Sequence, residues 1–237
     1  MFKPKALSYE LDTTGLSINE VNALHHVMFV AKNYDWWYEV LPDDVVVDIG
    51  AGVGAFSAKA LDAGASKVYM IEPNRNLLKT AIKNVSDYII DQEETRVIPI
   101  NAAMGKTDVD LSNIHQISGM TPAEEPRLES LRQFTDTHCL EHIDFLKISA
   151  CGAEFSILDP DNIEFLTNNV RHIACVVNLD AQYGSVEKFK NWRERFVRPL
   201  MEMNKVRFQN ETFAEKIFQE NFNDILPRSF LIYITNW

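Results

Sequence analysis

Between residues 45 and 203, two kinds of apolar pattern take turns along the chain. Val45-Val46-Val47-Asp48-Ile49 is β-branched and does not alternate polar with apolar positions, the mark of a strand buried on both faces. Phe56 to Ala63 follows as a helix. Lys67 to Ile71 is a second strand, closed by Glu72-Pro73, and Asn74 to Asp87 is a helix with Asn74 placed to cap it. Arg96 to Ile100, Ile143 to Ile148 and Ile173 to Leu179 read as further strands. Leu131 to Leu140 and Lys188 to Met203 read as helices, the second with Trp192 and Phe196 on its apolar side. Val206 to Gln209 and Phe230 to Thr235 suit a terminal hairpin pair. Ahead of all these, Val21, Leu24, Val27, Met28 and Ala31 recur at helical spacing. Residues 19–40 are therefore expected to form a helix, capped by Ser17 or Asn19 and ended by Pro42.

Strands alternating with helices imply an α/β fold, a parallel sheet covered by helices on both faces, with ligands at the carboxyl ends of the strands. The expected organisation is one domain: an N-terminal helical extension over 1–42 and the α/β domain over 43–237. Residues 104–130 interrupt the pattern with Gly119, Pro122 and Pro126. They read as a long, partly irregular insertion, a form that functional lids often take.

Composition narrows the function classes. The net charge of -11 repels phosphate backbones, so no nucleic-acid partner is expected. The three cysteines, Cys139, Cys151 and Cys175, form neither a disulfide framework nor a zinc pair. No HxH, HExxH or clustered acids support a metal. Met1 to Glu10 lacks the apolar core of a signal peptide, and no stretch is apolar enough to cross a membrane. The expected location is cytoplasmic, without a membrane partner. The oligomeric state is left open.

The chemistry concentrates in Asp48-Ile49-Gly50-Ala51-Gly52-Val53-Gly54. A buried strand ending in glycines that open a helix lets the backbone approach a ligand closely and offers free N–H groups. Glu72 follows Asp48 by 24 residues, at the end of the next strand, where a carboxylate can accept both hydroxyl protons of a ribose. Gly50, Gly52 and Ala55 satisfy GxGxxA, so a dinucleotide remains open as the ligand. Asp48 favours S-adenosyl-L-methionine (SAM): a carboxylate aimed at the turn suits a cationic amino-acid end and is poorly placed beside a pyrophosphate.

The chain here resembles the FkbM family of SAM-dependent methyltransferases. Val46 to Phe56 resembles the family's first motif, and Ile71-Glu72-Pro73-Asn74 its second. Ile100 to Gly105 is similar to the segment after its third strand. Asp144 to Ile148 with Gly152-Ala153-Glu154 is similar to the segment at its fourth. The resemblance covers roughly residues 45–160. It implies a Rossmann-like class I methyltransferase fold, a mostly parallel seven-stranded sheet with an antiparallel edge hairpin, and methyl transfer to a hydroxyl of a sugar or other small molecule. It places the methionine moiety near Asp48, Gly50, Ala51 and Gly52 and the ribose at Glu72, with Gly54 also among the cofactor-binding residues. The adenine falls between Pro73-Asn74 and Asn101-Ala102.

One segment departs from the family. Where it carries Asp and Glu, this chain has Ser149 and Cys151. Ser149 hydrogen-bonds but is no base near neutral pH. Glu154 is the surviving acid there, a candidate to touch the substrate or to brace the following helix. Lys147 is a candidate to pair with Glu154 or orient the acceptor. His25, His26, His115 and His138 could titrate near neutrality, and Tyr34, Trp36, Trp37 and Tyr38 suit packing better than a ligand cage. The leading expectation is a SAM-dependent O-methyltransferase acting on a small molecule or glycan. A non-catalytic SAM-binding module and an NAD-dependent oxidoreductase stand as alternatives.

Overall fold

The computed structural model describes residues 10–89, 96–106, 126–150, 152–179, 186–222, 226 and 228–236. Seven strands form the main sheet: β1 (Val45–Ile49), β2 (Lys67–Ile71), β3 (Val97–Ile100), β6 (Ile143–Ile148), β7 (Val170–Asn178), β8 (Val206–Phe208) and β9 (Ser229–Thr235). Two short strands, β4 (Ala102–Met104) and β5 (Arg127–Glu129), pair in parallel beside it. The main order is β3-β2-β1-β6-β7-β9-β8. All its neighbours run parallel except β9, which is antiparallel to both β7 and β8. The chain moves outward from β1 to β3, then crosses to β6 on β1's other side. That reversal opens a crevice at the carboxyl ends of β1 and β6.

The unalternating strands follow from burial on both faces. Val46, Val68 and Met70 point into one apolar cluster with Ala55 and Phe56 of α2 (Ala55–Asp62) and Leu78 and Ala81 of α3 (Arg75–Asn84). Val47, Ile49, Tyr69 and Ile71 point the opposite way. There they meet Leu131 and Phe134 of α4 (Leu131–Thr137) and Ile157 of α5 (Glu154–Ile157). Leu166 of α6 (Ile163–Asn169) and Phe189 and Trp192 of α7 (Val186–Trp192) complete that layer. Successive strand residues thus enter two different cores, so both must be apolar.

Two helices differ from expectation. The N-terminal one is α1 (Ile18–His25), extended by a π-helical turn over His26–Val30. Ser17 caps it in a full capping box with Glu20. It stops ten residues short because Lys32 takes a left-handed φ of 47° and turns Tyr34 into the core. The expected 188–203 helix is α7, a π-helical turn over Arg193–Val197, and α8 (Arg198–Glu202). The fifth expected strand begins three residues earlier, at Val170. A short helix, α9 (Thr212–Lys216), separates β8 from β9. Most of the 104–130 insertion lies outside the described residues. No helix among the described residues is long and apolar enough to cross a membrane.

Candidate functional site

A cleft of about 220 Å³ opens at the carboxyl ends of β1, β2 and β6. Its walls are backbone of the glycine turn (Gly50, Gly52), the Glu72-Pro73 corner with Leu77, the Ala102–Met104 strand, and Ser149, Ala150 and Ala153. The turn is tied to both flanking strands. The N–H groups of Gly50 and Ala51 donate to Ile71 O at 2.9 and 3.0 Å, and Ser149 N–H donates to Ile49 O at 3.0 Å. Gly50 has φ +73°, and a Cβ there would fall 2.0 Å from Ser149 O. Only glycine lets the two strand ends approach so closely. Gly52 has φ +57° with nothing within 4 Å of its would-be Cβ. It lines the cleft and leaves room at the turn that a ligand can enter.

Glu72 closes the cleft from the β2 side, 5% exposed. Its Oε2 accepts from Gly52 N–H at 2.8 Å and its Oε1 from Asn74 N–H at 2.9 Å. Burial raises its pKa, against the pull of those two hydrogen bonds and of Lys147. A carboxylate offers about four acceptor positions, so two remain for a ligand's hydroxyls. Its neighbours hold it in place: Asn101 Nδ2 donates to the carbonyls of Glu72 and Pro73 at 3.0 and 2.7 Å. Asn74 Oδ1 accepts from Asn76 and Leu77 N–H, capping α3. Pro73 and Ala102 line the cleft, whereas Asn74 and Asn101 brace its wall.

Asp48 corrects the sequence reading. It is fully buried and does not line the cleft. Its Oδ1 lies 2.9 Å from Lys147 Nζ, and its Oδ2 accepts from Ser57 Oγ at 2.7 Å. Lys147, expected to meet Glu154 or an acceptor, spends its other donors on the carbonyls of Ile49 (3.2 Å) and Gly50 (2.7 Å). Burial alone would lower the lysine's pKa. The Asp48 carboxylate, Tyr34 and Glu72 together outweigh it, and the net shift is upward. The pair is thus a buried strut under the glycine turn. Its physical origin is register: Asp48 and Lys147 are direct partners across β1 and β6.

At the β6 end, Ser149 lines the cleft. Glu154, fully buried, directly follows the cleft residue Ala153. Its Oε2 accepts from Gly152 N–H at 2.8 Å and its Oε1 from Asn178 Nδ2 at 2.6 Å. Burial pushes its carboxyl up to about 7, despite hydrogen bonds from the surrounding backbone and Asn178. Asn178 ends β7, and no local sequence signal marks it; only the β6–β7 pairing brings it to Glu154. Ser57 was likewise unmarked, although its position in the first turn after the glycines could have suggested it.

Other sequence candidates lie elsewhere. Gly54 packs on α3, where a Cβ would meet Ala81 Cβ at 2.9 Å, and Ala51 is buried without lining the cleft. His25 packs on Phe29, and His138 on Tyr69 and Phe134. His26 is exposed on the π-helical turn. Tyr34 is buried and Tyr38 stacks on His172, while Trp36 and Trp37 are more than one-third exposed. His115 and Cys151 lie outside the described residues. Among the described residues, no three His, Cys, Asp or Glu side chains group closely enough to hold a metal ion.

Residues 48–215 match the family model described as methyltransferase FkbM domain. No curated protein matches the sequence. Among solved structures, the chain is similar to methyltransferase FkbM from Methylobacillus flagellatus KT, with a TM-score of 0.55 and 14% identity. That match covers 86% of this chain and 47% of the other, so the chain spans about half the length of that relative. It is also similar to precorrin-6y C5,15-methyltransferase from Geobacter metallireducens GS-15, with a TM-score of 0.46 and 11% identity over 99% of this chain and 100% of that one. Fibrillarin from Aeropyrum pernix, solved with natively bound S-adenosyl-L-methionine, gives 0.43 and 12% over 88% and 74%.

Proposed function

From the premise that the chain belongs to the FkbM methyltransferase domain family, with its class I fold and its cofactor S-adenosyl-L-methionine, we propose that it methylates a hydroxyl of a sugar or other small molecule. When bound, the cofactor supplies an electrophilic methyl group. The cleft supports the reading residue by residue. Gly50 and Gly52 offer close backbone approach, Glu72 two free acceptor positions, and Pro73, Leu77 and Ala102 an apolar slot for a flat base. The chain's remaining task is to hold the acceptor hydroxyl and take up its proton.

One observation carries the O-methyl reading: a carboxyl with a pKa of about 7, Glu154, adjoins the cleft wall at Ala153. A group poised there can accept a proton at neutral pH. The burial of that carboxyl behind Gly152 and Asn178 favours the second reading, a module that binds SAM without transferring its methyl.

The test is release of S-adenosylhomocysteine from SAM in the presence of a panel of sugars and small alcohols. Glu154→Gln is expected to lower turnover about a hundredfold or more, with SAM affinity within about twofold of wild type. SAM binding without turnover on any hydroxyl acceptor would leave the binding-module reading standing.

A further inference from the structure

Glu154 is the acid on which the O-methyl reading turns, and its burial works against that role. The side chain is fully buried, and a buried carboxyl favours its neutral form. Hydrogen bonds to its oxygens oppose this. Gly152 N–H reaches Oε2 at 2.8 Å, a backbone donor set by the turn itself. Asn178 Nδ2 reaches Oε1 at 2.6 Å. Among the described residues, Asn178 is the side chain that hydrogen-bonds Glu154.

Asn178 is held firmly where it stands. It ends β7 and faces Ser229 in the register of β7 and β9, and the next residue, Leu179, donates its N–H to Arg228 O at 2.7 Å. β7 also pairs with β6, whose carboxyl end leads into Glu154. The surrounding elements bring no free charge to the carboxyl. Lys147 of β6 is spent on Asp48 and on two carbonyls. Cys175 of β7 is buried, and its thiol is pushed well up by that burial and by Glu154, so it stays neutral. From α7, Phe189 and Trp192 pack on Phe155. Arg228 is exposed. We propose that Asn178 is the positioning residue for Glu154: its amide N–H anchors Oε1 and favours the ionised carboxylate, so that the acid beside the cleft can take the acceptor's proton. A hydrogen bond to an ionised acceptor is roughly twice as strong as one to a neutral acceptor. Losing the donor therefore penalises the carboxylate more than the neutral carboxyl. The catalytic part of this proposal rests on the O-methyl reading.

The experiment follows Glu154 through stability. Wild type and Asn178→Leu, which keeps the shape and deletes the donor, are each unfolded in urea from pH 5 to pH 9. Each is compared with the same protein carrying Glu154→Gln. The difference within a pair declines as pH rises and levels off above the carboxyl's folded-state midpoint, which stands at about 7 in the wild type. In Asn178→Leu that midpoint is expected about one pH unit higher. A residue that merely supports the fold would lower stability equally at every pH, and an unmoved or lowered midpoint would overturn the proposal. Should Asn178→Leu fail to fold, Asn178→Asp sets a second carboxyl against the first. The two must then share a proton beyond about pH 8, and a titration complete near 7 overturns the contact. On an acceptor that the wild type methylates, release of S-adenosylhomocysteine at pH 7 should fall about fivefold in Asn178→Leu and recover toward pH 9. A raised midpoint with an unchanged rate would overturn the catalytic part. No turnover by the wild type on any hydroxyl acceptor would overturn the O-methyl reading, while the unfolding comparison still decides whether Asn178 holds Glu154.

Discussion

Lys147 Nζ lies 2.9 Å from Asp48 Oδ1, and neither side chain is more than 5% exposed. The two residues face each other in the register of β1 and β6. Removing one partner of such a pair leaves a buried charge behind, which costs about 3–5 kcal/mol. Lys147→Met should therefore destabilise the protein by that much in urea unfolding. The double variant Asp48→Asn/Lys147→Met should cost less than Lys147→Met alone, since no charge is stranded. Equal losses in the two would mean that the pair's electrostatics do not hold the turn.

Gly50 and Gly52 are expected to separate folding from binding. Both have positive φ, so alanine strains either by roughly 1–2 kcal/mol. At Gly50 the added carbon also meets Ser149 O at 2.0 Å, and the fold should fail to assemble or melt far below wild type. At Gly52 the added carbon meets nothing within 4 Å and projects into ligand space. Gly52→Ala should therefore fold, with a modest drop in melting temperature, and lose SAM affinity by about tenfold or more in calorimetry. Retained affinity would place the cofactor elsewhere.

Glu154 gives the protein a stability that falls as pH rises. Its carboxyl stands at about 7 in the folded chain against an ordinary 4.5. Between those values the folded state holds a proton that the unfolded state has lost, so the contribution is full below 4.5 and is lost through pH 7. Wild type should lose roughly 2–3 kcal/mol more than Glu154→Gln between pH 5 and pH 8. Glu72, also raised by burial, is present in both proteins and cancels in the comparison. Parallel pH profiles would remove Glu154 as the titrating group.

The strands were legible because Val46 and Val47 enter opposite cores, and a residue run with two buried faces cannot alternate. The glycine turn was legible because its backbone geometry needs glycine itself. Asp48 was misread for a reason that no local pattern carries. Where its carboxylate points depends on Lys147, 99 residues later, and on the register that pairs them. Asn178 was invisible on the same ground. The N-terminal helix was overextended because the apolar spacing ends at Ala31, whereas the chain's path beyond it is set by tertiary anchors on Asn33 and Tyr34. Asn33 is held by Gln209 and Tyr233, and Tyr34 packs on Phe56 and Lys147, which periodicity near residue 33 cannot foresee.

The bond from Tyr233 to Asn33 joins residues 200 positions apart. It also lies on β9, which slots between β7 and β8 and is the last described strand to leave a ribosome. During synthesis, the helices and parallel strands up to β7 can pair as they emerge and the N-terminal segment can pack on α2 and α3, but the side chain and carbonyl of Asn33 gain their partners only when Gln209 and Tyr233 arrive. Closing so long a loop carries a large entropic cost, and contacts of this separation form late in folding. Assembly therefore runs in two stages. The glycine turn and Glu72 take shape with the early strands, and the segment around Asn33 is locked in place only when the first and last described segments meet.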